Sequence, residues 1–160
     1  MDATEEFISR IAGPLKFRMF LLSKLPSAFF SGIRIQKISA EECITVVPYK
    51  WFSRNPFRST YFACLAMAAE MSTGALAMAH IYKRKPAISL LVTNFEASYF
   101  KKATGKTFFT CTEGESIKAA IEKAISTGES SSVKVNTKGE DIHGNLIATA
   151  IVTWSFKARK

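Results

Sequence analysis

The stretch from Tyr61 to Ala79, YFACLAMAAEMSTGALAMA, constrains this chain more than any other part of it. It is apolar except around Glu70 at its centre, and as a helix rising about 1.5 Å per residue it would be roughly 30 Å long, enough to cross a bilayer. Its composition argues against that use. A carboxylate at mid-membrane costs roughly 2.5–3.5 kcal/mol even on a lenient scale. Ser72, Thr73 and Gly74 follow it, and Ala outnumbers Leu. Small residues all round a helix suit close approach by other parts of the same protein. The expectation is therefore a central core helix from about Ser59 to Ile81, with no membrane partner.

The flanking sequence supplies the cover. Phe7, Ile8, Ile11, Leu15, Met19 and Leu22 recur at helical spacing behind an Asp2/Glu5 capping pattern. Gly13-Pro14 interrupts that helix and Pro26 closes it, which defines an N-terminal helical segment over residues 1–26. Ile33 and Ile35 alternate with polar residues, and Ile44, Val46 and Val47 follow a short polar turn, so the two runs read as a hairpin. Asn55-Pro56 marks a loop over Trp51 to Arg58. After the helix, Lys83-Arg84-Lys85 suits a C-terminal dipole end, and Pro86 prevents continuation.

Ala87 to Phe100 and Lys106 to Thr112 are strand-like, joined through the Thr104-Gly105 turn. Glu115 to Thr127 is a helix by the spacing of Ile117, Ile121 and Ile125, with Gly128 at its C′ position. Ser130 to Asn136 and Asn145 to Phe156 complete the strands; in the last, Leu146, Ala148, Ala150, Val152, Trp154 and Phe156 share one face. This is an α+β chain of one domain over residues 1–160. A curved antiparallel sheet of about six strands needs one face covered, and the long helix can cover it.

Charge and cysteine usage narrow the partners. Lys and Arg number 22 against 13 acids, a net charge of +9, which favours anionic ligands. No RNA- or DNA-binding motif accompanies it, so nucleic acid is the less favoured class. Cys43, Cys64 and Cys111 lack the spacing of a disulfide framework or a zinc site, and His80 and His143 lack ligand spacing, so no metal is expected and the cytoplasm is the natural compartment. No secretory leader is expected, since acids at positions 2, 5 and 6 and later cations interrupt the apolar residues.

The order of elements, with Asn55 before the Ala-rich helix and Glu70 within it, resembles the hotdog fold. The likeness covers about Gly32 to the C-terminus, with a core over residues 32–157. It is greatest to the thioesterase-like branch that contains the phenylacetic-acid-pathway thioesterases and the DUF4442 family. The residues that carry it run NPFRSTYFACLAMAAE from Asn55 to Glu70. In that branch an Asn stands six positions before a His-Gly-Gly, and an acid nine beyond the His. Here Tyr61-Phe62-Ala63 stands at the His-Gly-Gly, and Thr60-Tyr61-Phe62-Ala63 is similar to the DUF4442 version. Tyr99-Phe100-Lys101-Lys102-Ala103-Thr104-Gly105 resembles a second pattern of that group.

The resemblance implies hydrolysis of an acyl thioester, with acyl-CoA as partner and no cofactor beyond the coenzyme A of the substrate. Glu70 would be general base or nucleophile, and Asn55, Thr60 and Tyr61 would belong to the catalytic set. Amides at the start of the helix, near Tyr61 and Phe62, would polarise the carbonyl. Phe62, Lys83, Arg84, Lys85, Lys101 and Lys102, with Lys106, would cradle the ligand and its phosphates. The resemblance also implies a homodimer or tetramer. Each residue has a plainer reading as well: Glu70 in an ion pair or subunit contact, Asn55 as a turn former, Tyr61 as a packing anchor, the cations as a solvated face. A non-catalytic acyl-CoA or fatty-acyl binding module is the alternative function.

Overall fold

The computed structural model describes residues 2–159. Helix α1 (Ala3–Ile11) opens with the expected capping box: Asp2 Oδ1 accepts from Glu5 N–H at 2.8 Å, and Glu5 Oε2 from Asp2 N–H at 3.0 Å. Gly13-Pro14 does separate it from α2 (Pro14–Lys24). Pro26 does not close the segment. It opens a further short helix, α3 (Pro26–Ser31), because its fixed φ suits a first helical turn, where a missing N–H is no loss. Gly32, at φ +78°, ends α3 in the left-handed region.

Strands β1 (Arg34–Ile38) and β2 (Cys43–Val47) form the expected hairpin, with Arg34 opposite Val46 and Ile38 opposite Cys43. A single 3-10 turn, Trp51–Ser53, leads into the loop before α4 (Phe62–Ile81). That helix starts three residues later than the sequence predicts, since Ser59 and Thr60 are engaged with Asn55 and Ala103 instead. Strands β3 (Ile88–Tyr99) and β4 (Thr107–Cys111), helix α5 (Gly114–Thr127), and strands β5 (Ser131–Glu140) and β6 (Leu146–Ala158) follow.

The six strands make one antiparallel sheet in the order β1-β2-β4-β5-β6-β3. β3 and β4 are consecutive in sequence yet not neighbours: β3 lies at the far edge on β6, and residues 100–106 carry the chain back across the start of α4. β5 runs beyond Asn136 because Thr137 and Gly139 still face the core, Gly139 directly opposite the buried Phe109 ring.

The sheet curves around α4, whose small residues allow polar as well as apolar contacts. Thr45 Oγ1 donates to the Ala68 carbonyl at 2.7 Å, and Ser72 and Thr137 hydroxyls meet at 2.7 Å. Trp154 Nε1 donates to Thr73 Oγ1 at 2.9 Å. Leu76, Ile117, Ile121, Val152 and Phe156 fill the core on the α5 side, each such side chain contributing roughly 1.5–3 kcal/mol on burial. α4 is long and apolar enough to cross a membrane, and most of that length is buried inside the protein. The side of α4 that the sheet leaves open is covered by α1 and α3, with α2 closing against β1.

Candidate active site

The loop before α4 is built around one side chain. Asn55 Oδ1 accepts from the N–H groups of Phe57 (2.9 Å) and Ser59 (3.2 Å) and from the Ser59 hydroxyl (3.2 Å), while Asn55 N–H donates to the Ser59 carbonyl at 2.8 Å. This is the turn-forming use of an Asn before proline. Thr60 then anchors the loop to the far crossover: its N–H (2.8 Å) and its hydroxyl (3.2 Å) both donate to the Ala103 carbonyl. Tyr61 N–H donates to the Ser53 carbonyl at 2.8 Å. The Tyr61 carbonyl, at the N-cap of α4, accepts from Cys64 and Leu65.

Those bonds leave the N–H groups of Phe62 and Ala63 without a hydrogen-bond partner among the described residues. They are first-turn donors at the positive end of the helix dipole, a setting that favours an anion or a polarised carbonyl oxygen. Of the amides expected as oxyanion donors near Tyr61 and Phe62, the Tyr61 N–H is spent, and those of Phe62 and Ala63 remain. An open cleft of about 770 Å³ lies there. Asn55, Thr60, Tyr61, Phe62, Lys101 and Lys102 all line it, so six of the sequence-selected residues come together. Arg54, Phe57, Tyr99 and Phe100 line it too, beyond the residues to which the sequence assigns a role. The signal was present for Tyr99 and Phe100, since they open the Tyr99 to Gly105 pattern; Arg54 and Phe57 flank Asn55-Pro56 but carry no spacing of their own.

The cations divide. Lys102 Nζ donates to the Phe57 carbonyl at 3.3 Å and Lys101 Nζ lies 3.9 Å from Asp141 Oδ2, so both stay at the cleft rim. Lys106 lines a neighbouring cavity of about 320 Å³ together with Lys101 and Lys102. Lys83, Arg84 and Lys85 do not join them, which corrects the expectation of one shared cradle. They follow the C-terminus of α4, about 30 Å from Phe62 along the helix, and β3 carries the chain back to the other end before Lys101 is reached. Lys83 pairs with Glu6 at 2.7 Å, and Arg84 pairs with Glu122.

Glu70 stands apart from the cleft. It lies about 13 Å beyond Tyr61 along α4 and faces a cavity of about 210 Å³ under the N-terminal helices, lined among others by Ile11, Phe17, Ile35, Leu90 and Trp154. Ile35 and Leu90 belong to the two edge strands, so the curled sheet nearly closes on itself here and α1 and α2 plug the gap. The carboxylate makes no hydrogen bond or ion pair among the described residues, and burial pushes its pKa above the ordinary carboxylate range. The ion pair read as its plainer role is absent among those residues. What the backbone at Glu70 does is structural: its carbonyl accepts from the Thr73 hydroxyl at 2.8 Å, the same hydroxyl that holds Trp154.

The geometry has counterparts among known proteins. A Pseudomonas aeruginosa protein of unknown function, described as a probable thioesterase, superposes with a TM-score of 0.76 at 17% identity over 91% of this chain and 97% of that one. A thioesterase of Haemophilus influenzae gives 0.65 at 12% identity over 90% of each chain. A mutant thioesterase from Pseudomonas aeruginosa gives 0.67 at 13% identity over 91% of this chain and 94% of that one. At such identities the likeness establishes the fold, a hotdog fold, and nothing finer. No curated protein matches the sequence. The model of the domain of unknown function DUF4442, however, matches residues 13–156, from the break before α2 to the end of the core in β6, and the chain belongs to that family.

Proposed function

We propose that this protein binds an acyl thioester of the acyl-CoA class in the cleft at the start of α4 and hydrolyses it. The observation that carries the reading is the pair of unspent N–H groups, Phe62 and Ala63, at an open helix start between aromatic walls and a rim of Lys101 and Lys102. The thioester oxygen would accept from those donors as it gains charge, and the lysines would meet the phosphates of coenzyme A. Coenzyme A arrives as part of the substrate and no further cofactor is required. Three free buried thiols, Cys43, Cys64 and Cys111, suit the reducing cytoplasm.

Glu70 is the base in this reading. Its raised pKa brings it toward the range in which a general base works at neutral pH. On one chain it stands too far from Phe62 to serve the same carbonyl, so hydrolysis by this pair requires a second copy and an opening of the α1–α2 cover. That separation, with Asn55 and Thr60 already engaged in holding the loop, favours a second reading: an acyl-CoA or fatty-acyl binding module without hydrolysis.

A panel of acyl-CoA thioesters, assayed for binding and for release of free thiol, tests both. Turnover that weakens with salt, with KM raised by Lys101→Glu and Lys102→Glu, is the expected result. Binding without turnover across the panel selects the module. Absence of binding removes the acyl-CoA reading altogether.

A further inference from the structure

Helix α2 is apolar on two sides. Phe17 and Leu21 are buried in the core, while Leu15, Met19 and Leu22 form a second stripe, 75%, 58% and 41% exposed. Folding of this chain leaves that stripe unused, and a helix that is apolar all round needs cover on both sides. Arg18 belongs to the same stripe, three residues after Leu15 and four before Leu22. Its guanidinium lies 4.0 Å over the Phe29 ring of α3. From there the rings continue: Phe29 to Phe30 at 5.2 Å, Phe30 to Phe52 at 5.7 Å, Phe52 to Trp51 at 6.0 Å between centroids. The surface therefore continues from the α2 stripe, through the Arg18 guanidinium, across the rings of α3 to the 3-10 turn, where Trp51 is 74% exposed.

The charge on this surface has one sign. No acid occurs from Phe7 to Ala40, nor from Cys43 to Ala69. Lys16, Lys24 and Lys50 are exposed there, and none has an acidic partner among the described residues, whereas Lys37, Lys83 and Arg84 are each paired. A two-fold contact between copies would lay these cations on their own kind. Nucleic acid would use the cations and leave Leu15, Met19 and Leu22 in water. An anionic membrane surface uses both: its headgroups attract lysine, and Trp, Phe and Leu settle at the boundary between headgroups and acyl chains.

We propose that α2, α3 and the Trp51–Ser53 turn form a docking face for an anionic lipid bilayer, on which the protein lies without spanning it. The inference goes beyond the thioester reading and does not depend on it. The expectation of no membrane partner rested on α4 and leaves this face untouched.

The test uses the two tryptophans, Trp51 exposed and Trp154 buried. The full chain is mixed at low salt with vesicles of phosphatidylcholine alone or with added phosphatidylglycerol. Sedimentation with the anionic vesicles only, reversed by salt and accompanied by a blue shift of tryptophan emission, is the expected result. Trp51→Phe should keep the sedimentation and lose the shift, since Trp154 is already shielded. Lys16→Glu with Lys24→Glu should weaken binding more than tenfold, each cation near such a surface being worth roughly fivefold. Lys50→Glu, on a separate element, should weaken it independently, and circular dichroism verifies that each variant is folded. Failure to sediment with the anionic vesicles, or equal binding to both kinds, overturns the proposal. So does a Leu15→Ser, Met19→Ser variant that lowers the mass in solution while leaving sedimentation unchanged, which would assign the face to a second copy.

Discussion

Glu70 is a carboxylate held in an apolar cavity with no cation beside it among the described residues, and this has a consequence for stability that does not depend on catalysis. Burial raises its folded pKa, so the native state favours the neutral acid. The stability that the neutral form contributes is fully present below the ordinary carboxylate pKa of about 4.3 and is lost as pH rises through the folded value. Glu70→Gln removes the charge and keeps the shape. At pH 7 the variant should therefore melt higher than the parent, by roughly 2–4 °C per kcal/mol relieved in a chain of this length, and the gap should close as pH falls below about 4. A lower midpoint at pH 7 would reveal a cation that Glu70 pairs with. The same two proteins report on mechanism: a general base lost costs about 10²–10⁴ in rate, and unchanged turnover takes Glu70 out of the reaction. The residue was conspicuous in sequence because a lone charge interrupts an apolar helix. Its lack of a partner was not, because what faces it comes from α1, α2 and both sheet edges, far away in the chain.

Elements with strong local signals matched the sequence reading: the capping box of α1, the β1–β2 hairpin, the period of α5 and the alternation in β6 all depend on neighbours a few residues away. What depended on long-range contact was not legible. Pro26 was ambiguous between ending one helix and starting the next, and nothing local separated β3 from β4 in the sheet or Lys83 from Lys101 at the two ends of α4. The length of β5 is of this second kind. Gly139 lies in register with Phe109 of β4, and a Cβ there would stand 2.7 Å from the fully buried Phe109 ring, closer than packed carbons approach. Gly139→Ala should destabilise the protein by about 1–3 kcal/mol through overpacking, seen as a lower urea midpoint. A midpoint equal to the parent's would mean that β4 and β5 tolerate a shift at this pair.

At the scale of the whole molecule, the two ends of the sheet differ. β1 is a blunted edge: five residues, a bulge between Ile35 and Lys37, and two cations, Arg34 and Lys37. β3 is twelve residues long, carries a single charge at Glu96, and leaves Leu91 65% exposed. A long, nearly neutral open edge is a template for another strand, and in a protein of net charge +9 it is also where two copies can meet with little repulsion. The basic face of α2 and α3 opposes self-contact for the same reason that it suits an anionic surface. The expected assembly is therefore a homodimer joined along β3, which leaves the α2 stripe free in each copy. Light scattering at micromolar concentration should give twice the mass of one chain. Leu91→Lys, which replaces the exposed apolar side chain of that edge with a charge of the kind that blunts open edges, should shift the protein toward single chains while its circular dichroism stays unchanged. A parent protein of single-chain mass would remove the β3 contact, and with it the second copy that hydrolysis by Glu70 and the Phe62 amide requires.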